Sequence, residues 1–179
     1  MAGHSHWAGI KRKKEITDQK RGKLFSKLLA AISAAARTES NPNFNLRLRT
    51  AIIKAKELMV PQENIDRAIK RASEDGKNLE DLLFEAYGPG GAAILIFAIS
   101  DNKNRTVQEI KLILKEGGGK WAESGSVQWL FEPSSDTISE WKAKFPIEIA
   151  SEEKGKLQHL IEELEDNDNV QKIYTNSIN

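Results

Sequence analysis

The chain has 179 residues, 39% hydrophobic and 30% charged, which suits one ordinary domain or two small ones with a heavily charged surface. It contains no cysteine, which excludes disulfides and cysteine-ligated metals and indicates a reducing compartment. The longest apolar run, residues 92–99, is far shorter than a membrane span, and residues 1–16 lack the apolar core of a signal peptide. We therefore expect a cytoplasmic protein.

The net charge of +1 hides two halves of opposite sign. Residues 1–80 hold 17 Lys and Arg against 9 Asp and Glu, a balance of +8, whereas residues 81–179 hold 10 against 17, a balance of −7. This segregation favours a polyanion-binding module joined to an acidic one. The alternative is that both halves are ordinary solvated surfaces.

Three helices are predicted within residues 17–77, as a small helical bundle. The first begins near residues 17–18 with Thr17 as N-cap. The second begins with Asn41 as N-cap and Pro42 in its first turn, and the third runs from Pro61 to a stop at Gly76. From their helical spacing, the expected buried positions are Leu24, Phe25, Leu28, Leu29 and Ile32, then Leu46, Ala51, Ile52, Ala55, Leu58 and Met59, then Ile65, Ala68, Ile69 and Ala72.

After Gly76 the pattern changes to short strands alternating with helices. Strands are predicted at residues 82–87, 92–100, 126–132, about 144–149 and 170–175, and helices at 106–116 and 151–166. From Ala92 the order is βαββαβ, which is typical of a ferredoxin-like domain with an antiparallel sheet. The predicted fold class is thus α+β, with a basic helical domain and N-terminal arm over residues 1–79 and an acidic ferredoxin-like domain over residues 80–179.

Two glycine-rich segments do not fit a nucleotide-binding loop. GPGG at residues 88–91 precedes a strand, and GGGK at residues 117–120 lacks the required spacing. We interpret both as turns. The second would place Lys120 and Trp121 on a flexible loop that could contact a partner.

The segment GHSHW, followed by KRKKEITDQKRGK with seven Lys and Arg in 13 residues, carries the main functional signal. In a nucleic-acid interpretation the histidines donate hydrogen bonds, Trp7 stacks on a base and the cations contact phosphates. Alternatively, Trp7 packs against the bundle and the cations form a solvated face. The predicted nucleic-acid-binding residues are His4, Ser5, His6, Trp7, Lys11, Arg12, Lys13, Lys14, Lys20, Arg21, Lys23, Lys27, Arg47, Arg49 and Lys54.

The first residues also form a chelate if Met1 is removed. The free amine of Ala2, two deprotonated amides and the His4 imidazole then surround an ion in a square plane, a geometry that suits Cu(II) or Ni(II). Any chain with histidine third does the same, so we expect no physiological metal and no cofactor.

The stretches AGHSHWAGIKRKK, DQKRGKLFSKL, NIDRAIKRA, YGPGG, DNKNRT and GGKWAESGSVQWLFE carry a resemblance over nearly the whole chain. With the ending IEELEDNDNVQKIYTN, they resemble the YebC family of transcriptional regulators, which is similar to the mitochondrial translational activators of cytochrome oxidase. Family members typically insert a further α/β domain in the ferredoxin-like one, so the chain resembles a short form without it. His6 stands where the family often has a lysine.

The resemblance implies promoter DNA or ribosomal RNA as the target, with the ribosome as a partner in the second case. Dispersed cations and a stacking aromatic suit the shape recognition of structured RNA. No catalytic constellation assembles in the sequence, so we predict a non-enzymatic, nucleic-acid-binding regulator of gene expression without membrane or small-molecule partners. The alternative is a protein–protein adaptor that uses the ferredoxin-like sheet, with a non-functional basic arm.

Overall fold

In the part of the chain that the structure describes, three helices precede an α/β region. The computed structural model describes residues 18–74, 79–134 and 140–178. The elements are α1 Asp18–Ala36, α2 Leu46–Glu57, α3 Gln62–Glu74, β1 Glu80–Tyr87, β2 Ala93–Ser100, α4 Lys103–Glu116, β3 Lys120–Ala122, β4 Phe131–Pro133, β5 Trp141–Ala143, α5 Ser151–Asp166 and β6 Val170–Thr175. Within these ranges no helix has the length and apolar character needed to cross a membrane.

The described residues divide into two compact units. The helical unit contains the described residues of 18–81 together with 99–103, and the α/β unit contains those of 82–98 and 104–178. The predicted fold class, a helical region followed by an α/β domain with an antiparallel sheet, is confirmed.

In the helical unit, α1 packs against both α2 and α3. The apolar stripe predicted for α1 is buried at Leu24, Leu28 and Ile32, as is the stripe of α3 at Ile65 and Ala68. Burying such a stripe is what stabilises short helices, since their isolated propensity is marginal. The predicted N-cap Thr17 lies outside the described residues.

The start of α2 differs from the prediction. Its N-cap is Asn45, whose Oδ1 accepts from the Leu48 backbone N–H over 2.9 Å, while Asn41 and Pro42 lie in the preceding turn. The Asn45 amide also donates to the carbonyls of Ala35 and Glu39 over 2.9 and 2.7 Å. The start of α2 is therefore fixed by contacts with the end of α1, not by the first asparagine in the sequence.

The buried face of α2 follows the prediction at Ala51, Ile52, Ala55 and Leu58, which are buried or half-buried, but differs from it at the two ends of the stripe. Leu48 and Ala55 are fully buried, whereas Leu46 and Met59, both predicted to be buried, are 51% and 74% exposed. Met59 follows the helix with φ 63°, and the next amide, at Val60, donates to the carbonyl of Ala55. This left-handed helix end directs the chain into α3 and leaves the methionine outside.

The main sheet of the α/β unit has the strand order β3-β1-β2-β6. β1 lies between β2 and β3, so β2, α4 and β3 form a split βαβ unit whose gap is filled by the strand that precedes β2 in the chain. β6 pairs antiparallel with β2 on the other side, from Ile94 opposite Thr175 to Ala98 opposite Val170. The ferredoxin-like arrangement is thus built with β1 as the inserted strand.

The strands predicted after α4 were partly wrong. The predicted strand at 126–132 begins as a 3-10 turn at Gln128–Leu130, and only Phe131–Pro133 is β4. β4 pairs with β5, Trp141–Ala143, in a separate two-stranded sheet. Residues predicted as a strand at 144–149 contribute one isolated bridge, from Ile147 to Ser177, and β3 at 120–122 was missed.

Both faces of the main sheet carry a hydrophobic cluster. Ile94 and Ile96 of β2 face a core that includes Ile110 of α4 and Leu160 of α5. The alternate residues of β2 belong to a second cluster, formed by Ala93, Leu95, Ala122, Val127, Phe131 and Tyr174. The second face is covered incompletely, because Leu83 and Tyr87 of β1 are each 37% exposed.

The two glycine-rich turns are confirmed. GPGG forms a 3-10 turn with Gly90 at φ 69°, and the end of α4 has Gly118 at φ 75°. There the Gly119 N–H donates to the Leu114 carbonyl over 2.7 Å, which closes α4 in the manner expected of a C-terminal glycine.

Candidate nucleic-acid interface

Only part of the predicted interface can be located. The residues His4, Ser5, His6, Trp7, Lys11, Arg12, Lys13 and Lys14 lie outside the described residues, as does the predicted copper chelate at His4. Among the described residues no group of three or more His, Asp and Glu side chains could hold a metal ion.

The cations of α1 do not all face the same way. Lys20 and Arg21 are exposed, with the guanidinium carbon of Arg21 5.3 Å from the ring centroid of Phe25. Lys23 is half-buried, and Lys27 is only 7% exposed. Lys27 follows Leu24 by three residues and precedes Leu28, so it lies on the buried side of the helix. It does not belong to an exposed basic face, contrary to expectation.

The predicted arginines of α2 have protein partners. Arg47 forms a bidentate pair with the carboxylate of Asp81, with the longer hydrogen bond 2.7 Å. The Arg49 guanidinium donates to the carbonyls of Pro42 and Asn43 over 3.2 and 3.3 Å, which holds the turn before α2. Both side chains stay exposed, so a phosphate could still reach them, in competition with these partners.

The last turn of α2 carries Lys54 and Lys56, both exposed. Cations at this end of a helix are favoured by the helix dipole. Lys56 was not among the predicted site residues, although it follows Lys54 by two positions.

A cleft of about 650 Å³ in the helical unit was missed by the sequence analysis. It is lined by three arginines: Arg37, at the end of α1, and Arg67 and Arg71, one turn apart on α3. Arg67 also pairs with Glu63, four residues earlier on the helix, over 2.6 Å. The spacing of Asn64, Arg67 and Arg71 places them on one helix face and could have indicated the cleft.

The predicted partner loop is not a loop. Lys120 and Trp121 form β3, where Trp121 lies opposite Ala86 of β1. The Trp121 ring packs 5.3 Å from that of Phe84, and Lys111 Nζ lies 4.9 Å from its centroid. Gly118 closes α4 tightly enough for the chain to enter the sheet at once. Lys120 is exposed on this strand, while Trp121 is partly buried.

A buried carboxylate organises the segment after β3. Glu85 of β1 is 3% exposed, and its carboxylate accepts from the backbone N–H groups of Gly125, Val127 and Gln128 over 2.6, 2.6 and 2.9 Å. The turn that follows leaves Trp129 60% exposed, with its ring 5.8 Å from that of exposed Phe145. Neither this anchor nor the aromatic pair was predicted.

Comparison with known proteins assigns the chain to a family. Residues 5–75 match the model for the TACO1/YebC protein N-terminal domain, and residues 79–138 and 133–177 match the model for the TACO1/YebC second and third domain. The chain belongs to the TACO1/YebC family. The last two matched segments overlap at residues 133–138.

Relatives named probable transcriptional regulatory protein occur in several bacteria. One from Solibacter usitatus is 46% identical over 86% of this chain, and one from Chloroherpeton thalassium is 52% identical over 74%. The chain spans only 60% and 54% of the length of these two TACO1/YebC proteins. A relative from Aquifex aeolicus is 43% identical over 90% of this chain and 70% of its own length.

The fold also matches a solved structure of the family. The crystal structure of a conserved hypothetical protein from Aquifex aeolicus has a TM-score of 0.86 and 33% sequence identity, covering 97% of each chain. This agreement supports the fold class described above, a helical region followed by an α/β domain.

Proposed function

We propose that the protein is a non-enzymatic, nucleic-acid-binding regulator of gene expression, and that its helical unit binds the phosphate backbone. The observation that carries the proposal is the set of exposed cations on this unit, on α1 at Lys20 and Arg21 and on α2 at Lys54 and Lys56. The names of the bacterial relatives support the regulatory role.

In this proposal the cations position the nucleic acid and do not read its sequence, because lysine and arginine contacts to phosphates carry no base information. The N-terminal segment, with His4, His6 and Trp7, makes the closer contacts to bases. Cations dispersed over two helices suit a target recognised by shape, so structured RNA, including ribosomal RNA, is favoured over duplex DNA.

Salt dependence tests the proposal on the intact protein. Binding through several phosphates weakens steeply as salt rises, with a slope set by the number of phosphates contacted. Lys54→Gln should lower the affinity for every sequence alike and reduce that slope by about 1. Lys115→Gln is the matched control, because Lys115 is also an exposed lysine in the last turn of a helix, but in the α/β unit.

The N-terminal cations give a stronger test. Reversing Lys11, Arg12, Lys13 and Lys14 to glutamate should abolish binding in a low-salt gel-shift assay, with circular dichroism unchanged. Equal affinity of this variant would refute the role of the segment. Parallel titrations with a structured RNA and a DNA duplex of the same sequence would separate the two targets.

A second candidate function, protein–protein adaptor, is favoured by the exposed pair Trp129 and Phe145 on the acidic α/β unit. Exposed aromatics are enriched at the centre of protein interfaces. In this candidate function we propose that the aromatic pair makes the contact, in place of the sheet predicted from the sequence. An adaptor contact of this kind should be nearly insensitive to salt and lost in Trp129→Ala, with Lys54→Gln unaffected.

A further inference from the structure

The arginine cleft of the helical unit has a defined architecture. One wall is α1, which contributes Leu29 and Ser33, and the other is α3, which contributes Asn64 and Ala68. The Ser33 hydroxyl donates to the Ala68 carbonyl over 2.8 Å and joins the two helices at their small residues. The longer side chains on either side of this crossing then border an open space between the helices.

The rim of the cleft is positive. Arg37, Arg67 and Arg71 line it together with one acid, Asp101. Arg37 donates to the Leu79 carbonyl over 2.6 Å, and Arg67 pairs with Glu63 outside the cleft lining. Arg71 has no hydrogen-bond or ion-pair partner in residues 18–74, 79–134 and 140–178. Its guanidinium is therefore the group best placed to accept a new anionic ligand.

Part of the cleft lining is apolar. Leu29, Ala30, Ala72 and Leu79 are all partly buried there, and Asn64 adds an amide that can both donate and accept. A lone phosphate would leave these apolar side chains unused. A nucleotide would use all three features, with a flat base on the apolar surface, its edge at the amide and its phosphate on the guanidinium groups.

We propose that this cleft holds one unstacked nucleotide of a bound nucleic acid, with the phosphate on Arg71 and Arg67 and the base over Leu29 and Ala72. The inference rests on the proposed function and deepens it. Its volume of about 650 Å³ is large enough for a nucleotide and lies within the ordinary range of ligand sites. Recognition of unpaired, splayed-out bases is also the common route to specificity in RNA binding.

The test compares three probes on the full-length protein: a perfect RNA hairpin, the same hairpin with one bulged nucleotide, and free AMP. The wild type should bind the bulged hairpin about tenfold more tightly than the perfect one. Arg71→Gln should remove this preference and leave the affinity for the perfect hairpin nearly unchanged. Lys70→Gln, which removes one charge from the neighbouring exposed position of α3 outside the cleft, should keep the preference.

A second variant examines the base. Asn64→Ala should retain the tenfold preference for a bulge but reduce the differences in affinity among bulged A, C, G and U. This outcome would support direct contact of the base edge with the amide, since the phosphate contacts are untouched.

The failures are distinguishable. If Arg71→Gln and Lys70→Gln weaken both hairpins equally, Arg71 contributes only to the general field, which overturns the cleft and leaves the proposed function standing. If free AMP binds as tightly as the bulged hairpin, the cleft is a mononucleotide site and the inference is wrong. If the wild type binds neither hairpin, both the proposed function and the inference about the cleft are wrong.

Discussion

The carboxylate of Glu85 accepts a hydrogen bond of 2.6 Å from the backbone N–H of Val127, 42 residues further along the chain. The same carboxylate also binds the N–H groups of Gly125 and Gln128. A single buried side chain of β1 thus satisfies three amides of a segment that has no regular ladder to join. It fixes the turn that leaves Trp129 exposed.

Removing this carboxylate should therefore be costly. Glu85→Ala should lower the free energy of unfolding by about 3 kcal/mol, because the buried N–H of Val127 and the partly buried hydrogen bonds of Gly125 and Gln128 lose their acceptor. Amide hydrogen exchange at Gly125, Val127 and Gln128 should accelerate before that of β2. The control is Glu132→Ala, which breaks a half-exposed pair with Lys142 and should cost less than about 1 kcal/mol. Equal costs in urea denaturation would contradict the anchor.

Two glycines should respond to alanine in opposite directions. Gly22 lies inside α1 with nothing within 4 Å of a Cβ, so Gly22→Ala should stabilise the protein by about 0.5–1 kcal/mol. A Cβ on Gly117 would lie 2.6 Å from Leu160 Cδ1, so Gly117→Ala should destabilise it by about 1–3 kcal/mol. Thermal unfolding measures both. A stabilised Gly117→Ala would mean that Leu160 moves aside without cost.

The sequence pattern predicted the helices and the order of a helical region followed by an α/β region. It did not predict the tertiary contacts that fix where α2 begins. By residue type Asn41 and Asn45 are equally good caps, and the choice depends on the carbonyls of Ala35 in α1 and of Glu39 in the turn that follows it. Because that contact is tertiary, the residue at which α2 begins could not be derived from the sequence pattern alone. The apolar stripes of α1 and α3 follow from helical spacing alone. They are confirmed at Leu24, Leu28, Ile32, Ile65 and Ala68.

In the candidate site, too, local spacing was predictable from the sequence and tertiary contacts were not. The spacing of Asn64, Arg67 and Arg71 is visible in the sequence, but the opposite wall from α1 and the cleft between them are not. From the sequence, Glu85 resembles any solvent-facing residue of a strand. Its burial could not be predicted, because it depends on a segment that comes 40 residues later. From the sequence, Lys27 resembles the other cations of the basic segment, yet it lies on the buried side of α1.

Alkaline pH should reveal the environment of Tyr174. Its burial, and secondarily the charge of Glu140, raise the pKa of the phenol above its ordinary value, while a backbone hydrogen bond at Trp141 lowers it. The folded protein therefore keeps a proton that the unfolded chain releases above about pH 10, so stability falls as pH rises through that range.

Tyr174→Phe removes the titrating group and should flatten this fall. At each pH the quantity to compare is the free energy of unfolding of the wild type minus that of Tyr174→Phe. This difference should decrease by more than about 1.4 kcal/mol between pH 9 and pH 12. Urea titrations at each pH measure it, with Tyr87→Phe as the control for losing a partly exposed phenol. A difference that does not change with pH would show that Tyr174 ionises normally.

Division of the chain tests whether its two units are domains that fold and act separately. The boundary predicted from sequence, after residue 79, removes Asp81 from Arg47 but keeps the Leu79 carbonyl that Arg37 binds. A fragment of residues 1–81 should therefore be more stable than one of residues 1–79, by up to about 1 kcal/mol for an exposed bidentate pair. Arg47→Gln should abolish the difference between the two fragments.

In a gel-shift assay the 1–81 fragment should keep most of the nucleic-acid affinity of the full chain, because it retains the cations of residues 11–27 and of α2. The complementary fragment of residues 82–179, with an excess of acidic groups, should fold by circular dichroism and bind weakly. Binding by the acidic fragment alone would show that charge segregation in this chain does not mark the site.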